Sequence, residues 1–340
     1  MNLPALRTRT ISFVLPLLFV GCGSGAPAPV ASPATTPSPP ASQFLTPSPS
    51  IRLRTQAPSP TPLPEPVDST VDGVAVRTLE RGPLSAPIDV VVAFGSVWVA
   101  NHHGDSVTRV DPTSMTILAT IQTGTGPGWF AVAEDAVWVS NQNSVGMTRV
   151  DPRTGDTIRT GRWATCGRSI VAFKAIWQPA CDAHRVMRID QTSFVSTDVP
   201  SPGQMSLVRV GSTLVSGGPG GLARLDPKTN SFAPIGGADP GWMMAFDGTT
   251  IWSSDERQVF RISPKDGTVV ATLAISEAGA VAFRSGRAWV TSASGLVEVD
   301  PATNKIVRTL PIGRSVAVVG SGDALWVTSY DANTLTRLMP

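Results

Sequence analysis

From residue 71 onward the chain repeats itself about every 38 residues, and this periodicity limits the fold more than any other feature. Trp98, Trp138, Trp177, Trp252, Trp289 and Trp326 each stand in an alternating pattern such as Val97-Trp98-Val99, with Leu214 at the seventh matching place. Trp98 to Trp326 is 228 residues, six steps of 38. A second marker keeps the same pace: Arg109-Val110-Asp111-Pro112, Arg149-Val150-Asp151-Pro152, Arg188-Ile189-Asp190, Arg224-Leu225-Asp226-Pro227, Arg261-Ile262-Ser263-Pro264, Val299-Asp300-Pro301 and Arg337-Leu338. Within one unit four short strands can be read; in the second they are 130–133, 136–141, 147–151 and 156–163. Units of this length with four strands build β-propellers, whose closed ring leaves no long sheet edge bare.

The last unit stops in its third strand, at Arg337-Leu338. Its missing outer strand is found at the start: Val74-Ala75-Val76-Arg77-Thr78-Leu79 matches Ile306-Val307-Arg308-Thr309-Leu310. The expectation is an all-β, seven-bladed propeller over 71–340, with four-stranded blades and the last blade closed by an N-terminal strand. Asp-Pro followed by Gly or Asn makes a turn, because Pro fixes the backbone at its entry and the later residue tolerates positive φ. Asp111, Asp151, Asp226 and Asp300 are therefore expected to form turns, and the tryptophans to pack between neighbouring sheets.

Val97-Trp98-Val99-Ala100-Asn101 with Arg109-Val110-Asp111-Pro112, and Val137-Trp138-Val139-Ser140-Asn141 with Arg149-Val150-Asp151-Pro152, resemble the repeats of bacterial YVTN-type propellers. They are also similar to the virginiamycin B lyase propeller. The resemblance spans roughly 71–340 and implies the fold; such propellers serve as scaffolds, binding modules and occasional enzymes. It also implies, for a lyase, a histidine base with glutamates and magnesium on late blades. Here the last four blades carry Glu256 and Glu277 but no histidine, so that carry-over fails.

The first 21 residues read as an export signal: Arg7 and Arg9, a short apolar run over 11–20, then Gly21-Cys22. Ten residues of helix span only about 15 Å, half a bilayer core. Phe19-Val20-Gly21-Cys22 resembles the lipobox of bacterial lipoproteins, although Leu usually stands where Phe19 does; it implies a lipidated Cys22. An ordinary secretory signal that happens to hold a cysteine is the alternative. Residues 22–70 then read as a tether, with thirteen prolines between Pro27 and Pro66 among Ser, Thr and Ala. Where such a chain is polyproline II it advances about 3.1 Å per residue, a reach on the order of 100 Å. A spacer with no length requirement fits equally. The expected location is the cell envelope, outside the cytoplasm and held to a membrane by lipid.

A net charge of +2 with 15% charged residues gives no basic field for nucleic acid. Three histidines, His102, His103 and His184, leave little for acid–base schemes. His102-His103 with Asp105 lacks a third ligand at metal-site spacing, and Gly217-Gly218-Pro219-Gly220-Gly221 lacks the Lys and helix of a phosphate loop. No catalytic motif, metal site or cofactor is implied, and a monomer is expected. Cys166 and Cys181 fall in loops on one face of blade three, and export permits a disulfide between them. Two unpaired thiols are the alternative; mass spectrometry of non-reduced peptides decides, and free thiols at both positions refute the bond.

Residues just before each inner strand ring the channel mouth: Trp129, Arg168, Gln204, Trp242 and Arg314, with Tyr330, Asp331 and His102 within reach. Trp offers a face to sugars or cations, and Arg a fork for carboxylate or phosphate. Either these residues bind an anionic or carbohydrate ligand, or the tryptophans plug the channel and the arginines pair with nearby acids. Two function classes follow. One is a tethered module binding an envelope ligand or protein; the other is a metal-assisted envelope lyase or lactonase, which the shortage of histidines and clustered acids disfavours.

Overall fold

The computed structural model describes residues 63–180, 184–236 and 239–340. The expected signal, Cys22, nearly all of the expected tether and Cys181 lie outside the described residues. Seven antiparallel sheets form the seven blades, all strands and no helix among the described residues. Blades one to six cover 87–122, 127–160, 170–200, 206–236, 243–274 and 281–310, each a four-strand meander running outward from the channel. The seventh joins both ends of the chain: Ala317–Ser321, Ala324–Ser329 and Thr334–Met339 are followed outward by Val74–Glu80. The N-terminal strand thus closes the last blade as the repeat requires. A further edge strand, Val67–Val71, pairs outside it. It is exposed almost throughout, so no hydrophobic alternation announces it in the sequence.

Burial explains the strand patterns. In blade one the second strand, Ser96–Asn101, is buried at every position, because neighbouring blades cover both of its faces. The outer strand, Ile117–Gln122, is never fully covered and alternates instead. Val97 and Val99 face blade seven, whereas Trp98 and Ala100 face Phe130, Val137 and Val139 of blade two. The same alternation seats Trp138 against blade three and Trp326 against blade one. In blades one and three the indole N–H has a backbone acceptor nearby: Trp98 Nε1 donates to the Ala93 carbonyl and Trp177 Nε1 to that of Ala172, both at 3.1 Å.

Blade four departs from the expected register. Its hairpin pairs Val210 with Thr213, so Val215, not Leu214, faces Val208 and Arg224 as Trp98 faces Val91 and Arg109. Leu214 turns to the other side and packs with Trp177 of blade three. A slip of one residue exchanges sheet faces, because side chains alternate with a period of two.

The Asp-Pro segments form turns on the face away from the mouth. Asp111 Oδ1 accepts hydrogen bonds from the backbone N–H of Thr113 and Ser114 at 2.9 and 2.8 Å, and Asp151 from Arg153 and Thr154 at 2.8 and 3.2 Å. Asp226 and Asp300 do the same with Lys228 and Ala302.

Candidate functional site

Inner strands begin on the face that also carries the second-to-third-strand loops, so the mouth is built from two sets of loops per blade. One part of it joins three blades. Asp89, on the inner strand Pro87–Ala93 of blade one, is fully buried. Its Oδ2 accepts a hydrogen bond from Phe130 N of blade two at 3.0 Å, and its Oδ1 takes one from Arg168 Nη2 at the entry to blade three. Burial pushes the Asp89 carboxyl above the usual carboxylate range, against the pull of the Arg168 charge and the N–H groups of Phe130 and Val90. The Arg168 guanidinium also lies 5.9 Å from the ring centroid of Trp129. One-third of the Arg168 side chain remains exposed, so its outer edge faces the mouth while Asp89 anchors its inner edge.

Beside this group stands an aromatic cluster from blades seven and one. Tyr330 OH and His103 Nε2 are hydrogen-bonded at 2.7 Å, and their rings meet edge to face at 5.3 Å. His102 lies 5.6 Å from the His103 ring and 6.3 Å from that of Tyr330. His102 Nδ1 is 3.3 Å from the Pro127 carbonyl and must donate to it, leaving Nε2 to accept from Asn143 Nδ2 at 3.5 Å. Partial burial lowers the His102 pKa, so the ring is neutral and keeps that tautomer at neutral pH. Burial, then the charge of Asp331, raises the Tyr330 pKa and keeps its hydroxyl protonated.

Arg314 is held between two carboxylates, with Nε 2.8 Å from Glu277 Oε2 and Nη1 3.0 Å from Asp331 Oδ2. Gln204 is buried in the link between blades three and four, and Trp242 stands 54% exposed at the entry to blade five. The structure thus brings Trp129 and Arg168 into one contact group and Tyr330 into another. Arg314, Gln204 and Trp242 occupy separate places around the rim. Cys166 is half-buried in the link before blade three.

Asp89 escaped the sequence reading. Its signal is a carboxylate inside an otherwise apolar inner strand, Ile88-Asp89-Val90-Val91-Val92, where the cost of burial demands a partner. Glu277 as a partner of Arg314, and the Tyr330–His103 bond, were equally hidden. Among the described residues no group of three or more His, Cys, Asp or Glu is placed to hold a metal ion.

No protein-family profile and no curated protein sequence matches the chain. Solved structures do. A streptogramin B lyase superposes with a TM-score of 0.65 at 14% identity, covering 78% of this chain and 97% of the lyase. A hydrazine synthase chain from Kuenenia stuttgartiensis gives 0.64 at 15%, covering 76% and 97%. BamB from Moraxella catarrhalis gives 0.55 at 12%, covering 74% and 84%. Likeness at such low identity establishes the β-propeller fold and leaves the ligand to be argued from the site's own chemistry.

Proposed function

We propose that this protein is a binding module of the cell envelope, displayed from a membrane by a lipid on Cys22 and the tether 22–70. In this reading the propeller mouth takes an uncharged, hydroxyl-rich ligand, a carbohydrate of the envelope, without converting it. The observation that carries the ligand class is the state of the two mouth arginines. Arg168 is paired with buried Asp89, and Arg314 with both Glu277 and Asp331. An anionic ligand would meet arginine charges that carboxylates already neutralise, so neither offers it a full counter-charge. A sugar needs no counter-charge: it stacks on the exposed Trp242 and the partly exposed Trp129 and exchanges hydrogen bonds with Tyr330, the imidazoles and the outer edge of Arg168. Carbohydrate is therefore favoured over the anionic alternative.

The test is calorimetric titration of the chain with neutral cell-wall glycan fragments and with their carboxylate- or phosphate-bearing counterparts. Neutral fragments should bind, and Trp242→Ala and Trp129→Ala should each weaken them by roughly 1–3 kcal/mol. Binding by anionic fragments alone, or full binding by both variants, would overturn the reading. Replacing Cys22 by Ser should release the protein from membranes or leave its precursor uncleaved; unchanged membrane association would refute the anchor. The likeness to a streptogramin B lyase supports a second reading, an envelope lyase or lactonase that uses a divalent metal. A melting temperature raised by divalent ions and restored by chelator would favour it.

A further inference from the structure

On the face opposite the mouth, the chain encloses a groove of about 650 Å³. That volume lies within the range of small-molecule sites, roughly 300–1,000 Å³. The hairpin of blade two contributes Glu134 and Asp135, the hairpin of blade three Phe173 and Lys174, and the inner strand of blade four Arg209. Val171 and Ala172 supply an apolar floor. Its charges differ in availability. Arg149 binds Asp135 at 2.7 Å, and Arg209 Nε donates to the carbonyl of Gly211 at 3.4 Å. The side chains of Glu134 and Lys174 make no hydrogen bond or ion pair with any of the described residues, so one carboxylate and one ammonium face the same groove without a partner.

A second, independent feature marks Lys174. The two-residue turn between Ile170–Ala172 and Ala175–Ala180 places Phe173 at φ 51° and Lys174 at φ 58°, both left-handed. The matching turns of blades one and six are Phe94-Gly95 and Ser285-Gly286, with glycine second at φ 66° and 73°. Glycine takes this conformation without steric cost and lysine does not. Blade three therefore keeps a left-handed lysine where blades one and six have glycine, and that lysine lines the groove. Left-handed residues other than glycine occur elsewhere in the repeat, Met115 and Phe194 among them; what sets Lys174 apart is that it lines the groove together with Glu134.

We propose that the groove binds a small zwitterion, an amino acid or short peptide with free ends, its carboxylate on Lys174 and its ammonium on Glu134. Its apolar part lies over Val171 and Ala172. The site is separate from the mouth and does not depend on the ligand assigned there.

The experiment is calorimetric titration of the full chain with alanyl-alanine, its N-acetylated and C-amidated forms, and free alanine. Alanyl-alanine should bind, and blocking either end should lower affinity by about tenfold or more, the worth of one charge-assisted hydrogen bond. Free alanine binding as well as the dipeptide identifies an amino-acid site, and weaker binding a peptide site. Lys174→Gly and Glu134→Gln should each lower affinity by about tenfold, whereas Trp242→Ala at the mouth should leave it unchanged. Lys174→Gly should also raise the melting temperature by about 2 °C, since glycine relieves the turn. A lysine kept for the fold alone would give the opposite, a lower melting temperature in the glycine variant, and that outcome overturns the proposal. So does the absence of binding at millimolar probe, or binding indifferent to Lys174→Gly.

Discussion

Aspartates of this chain occupy three electrostatic settings that sequence alone does not separate. Asp111 is only partly covered, and the N–H groups of Ser114 and Thr113 hold its carboxyl below the usual range; Asp151, Asp190, Asp226 and Asp300 behave alike. At Asp247 partial burial works against ionisation, but hydrogen bonds from Thr250 N, the Trp252 indole and Thr249 outweigh it and hold the carboxyl far below that range. Asp89 is shifted upward by burial. The signs differ accordingly. A depressed carboxyl stabilises the fold above its unfolded pKa, about 3.9, and that contribution is lost as pH falls through the lower folded value. Asp89 acts the other way, its contribution lost as pH rises through its folded value. The depressed group is the larger, so the melting temperature should hold from pH 7 to 5 and fall below about pH 4. Asp247→Asn should melt lower than the parent at pH 7, and the gap should narrow steadily as pH falls below about 4, where the unfolded carboxyl takes up protons that the folded one still resists. Melting curves followed by circular dichroism across this range check it; a gap that does not narrow with acid would show that the carboxylate charge is not its source.

At the scale of strands, the two markers of the repeat are one device. Trp98 and Arg109 face each other across neighbouring strands with the guanidinium 5.5 Å from the ring centroid; Trp252 and Arg261 do so at 4.9 Å, and Trp326 and Arg337 at 5.7 Å. Blade six keeps the contact by another route. Glu298 faces Trp289, and Arg308 from the outer strand reaches over the ring at 6.0 Å while pairing with Glu298 at 2.7 Å. Cross-strand pairing is why the markers keep register, and it made blade number and strand order readable from the chain. Blade four was misread because Leu214 and Val215 are both apolar, and alternation does not say which one faces which neighbour. The turn decides that, by pairing Val210 with Thr213. The rim positions were legible for a similar reason, since each precedes an inner strand. Their partners were not: Arg168 meets a carboxylate 79 residues away and Tyr330 an imidazole 227 away, separations that only the closed ring brings together.

Ring closure is also what holds the whole molecule, and its components differ in weight. Val74–Glu80 pairs with Thr334–Met339 over six positions. It buries Val74 and Val76 beside blade six and Leu79 against blade one. Burying each such side chain is worth about 1.5–3 kcal/mol, so this strand supplies roughly 5–9 kcal/mol of apolar burial. A folded domain has only about 5–15 kcal/mol in reserve. Val67–Val71, by contrast, lies exposed on the outer edge. The chain enters on the mouth side, where Pro64 packs so closely on Gly82 that an added Cβ would meet its ring at 2.7 Å. A chain beginning at residue 73 should therefore fold and melt within a few degrees of the parent, having lost only an exposed strand and its entry. One beginning at residue 81 should lose the cooperative transition or elute as an expanded or aggregated species. Adding a synthetic peptide of residues 73–81 should restore part of the folded signal, because the exposed edge of Thr334–Met339 keeps the same register to offer. Circular dichroism melting with size-exclusion chromatography measures both chains. If the shorter one melts within a few degrees of the parent as a compact monomer, the ring closes without its N-terminal strand and this account of its stability is wrong.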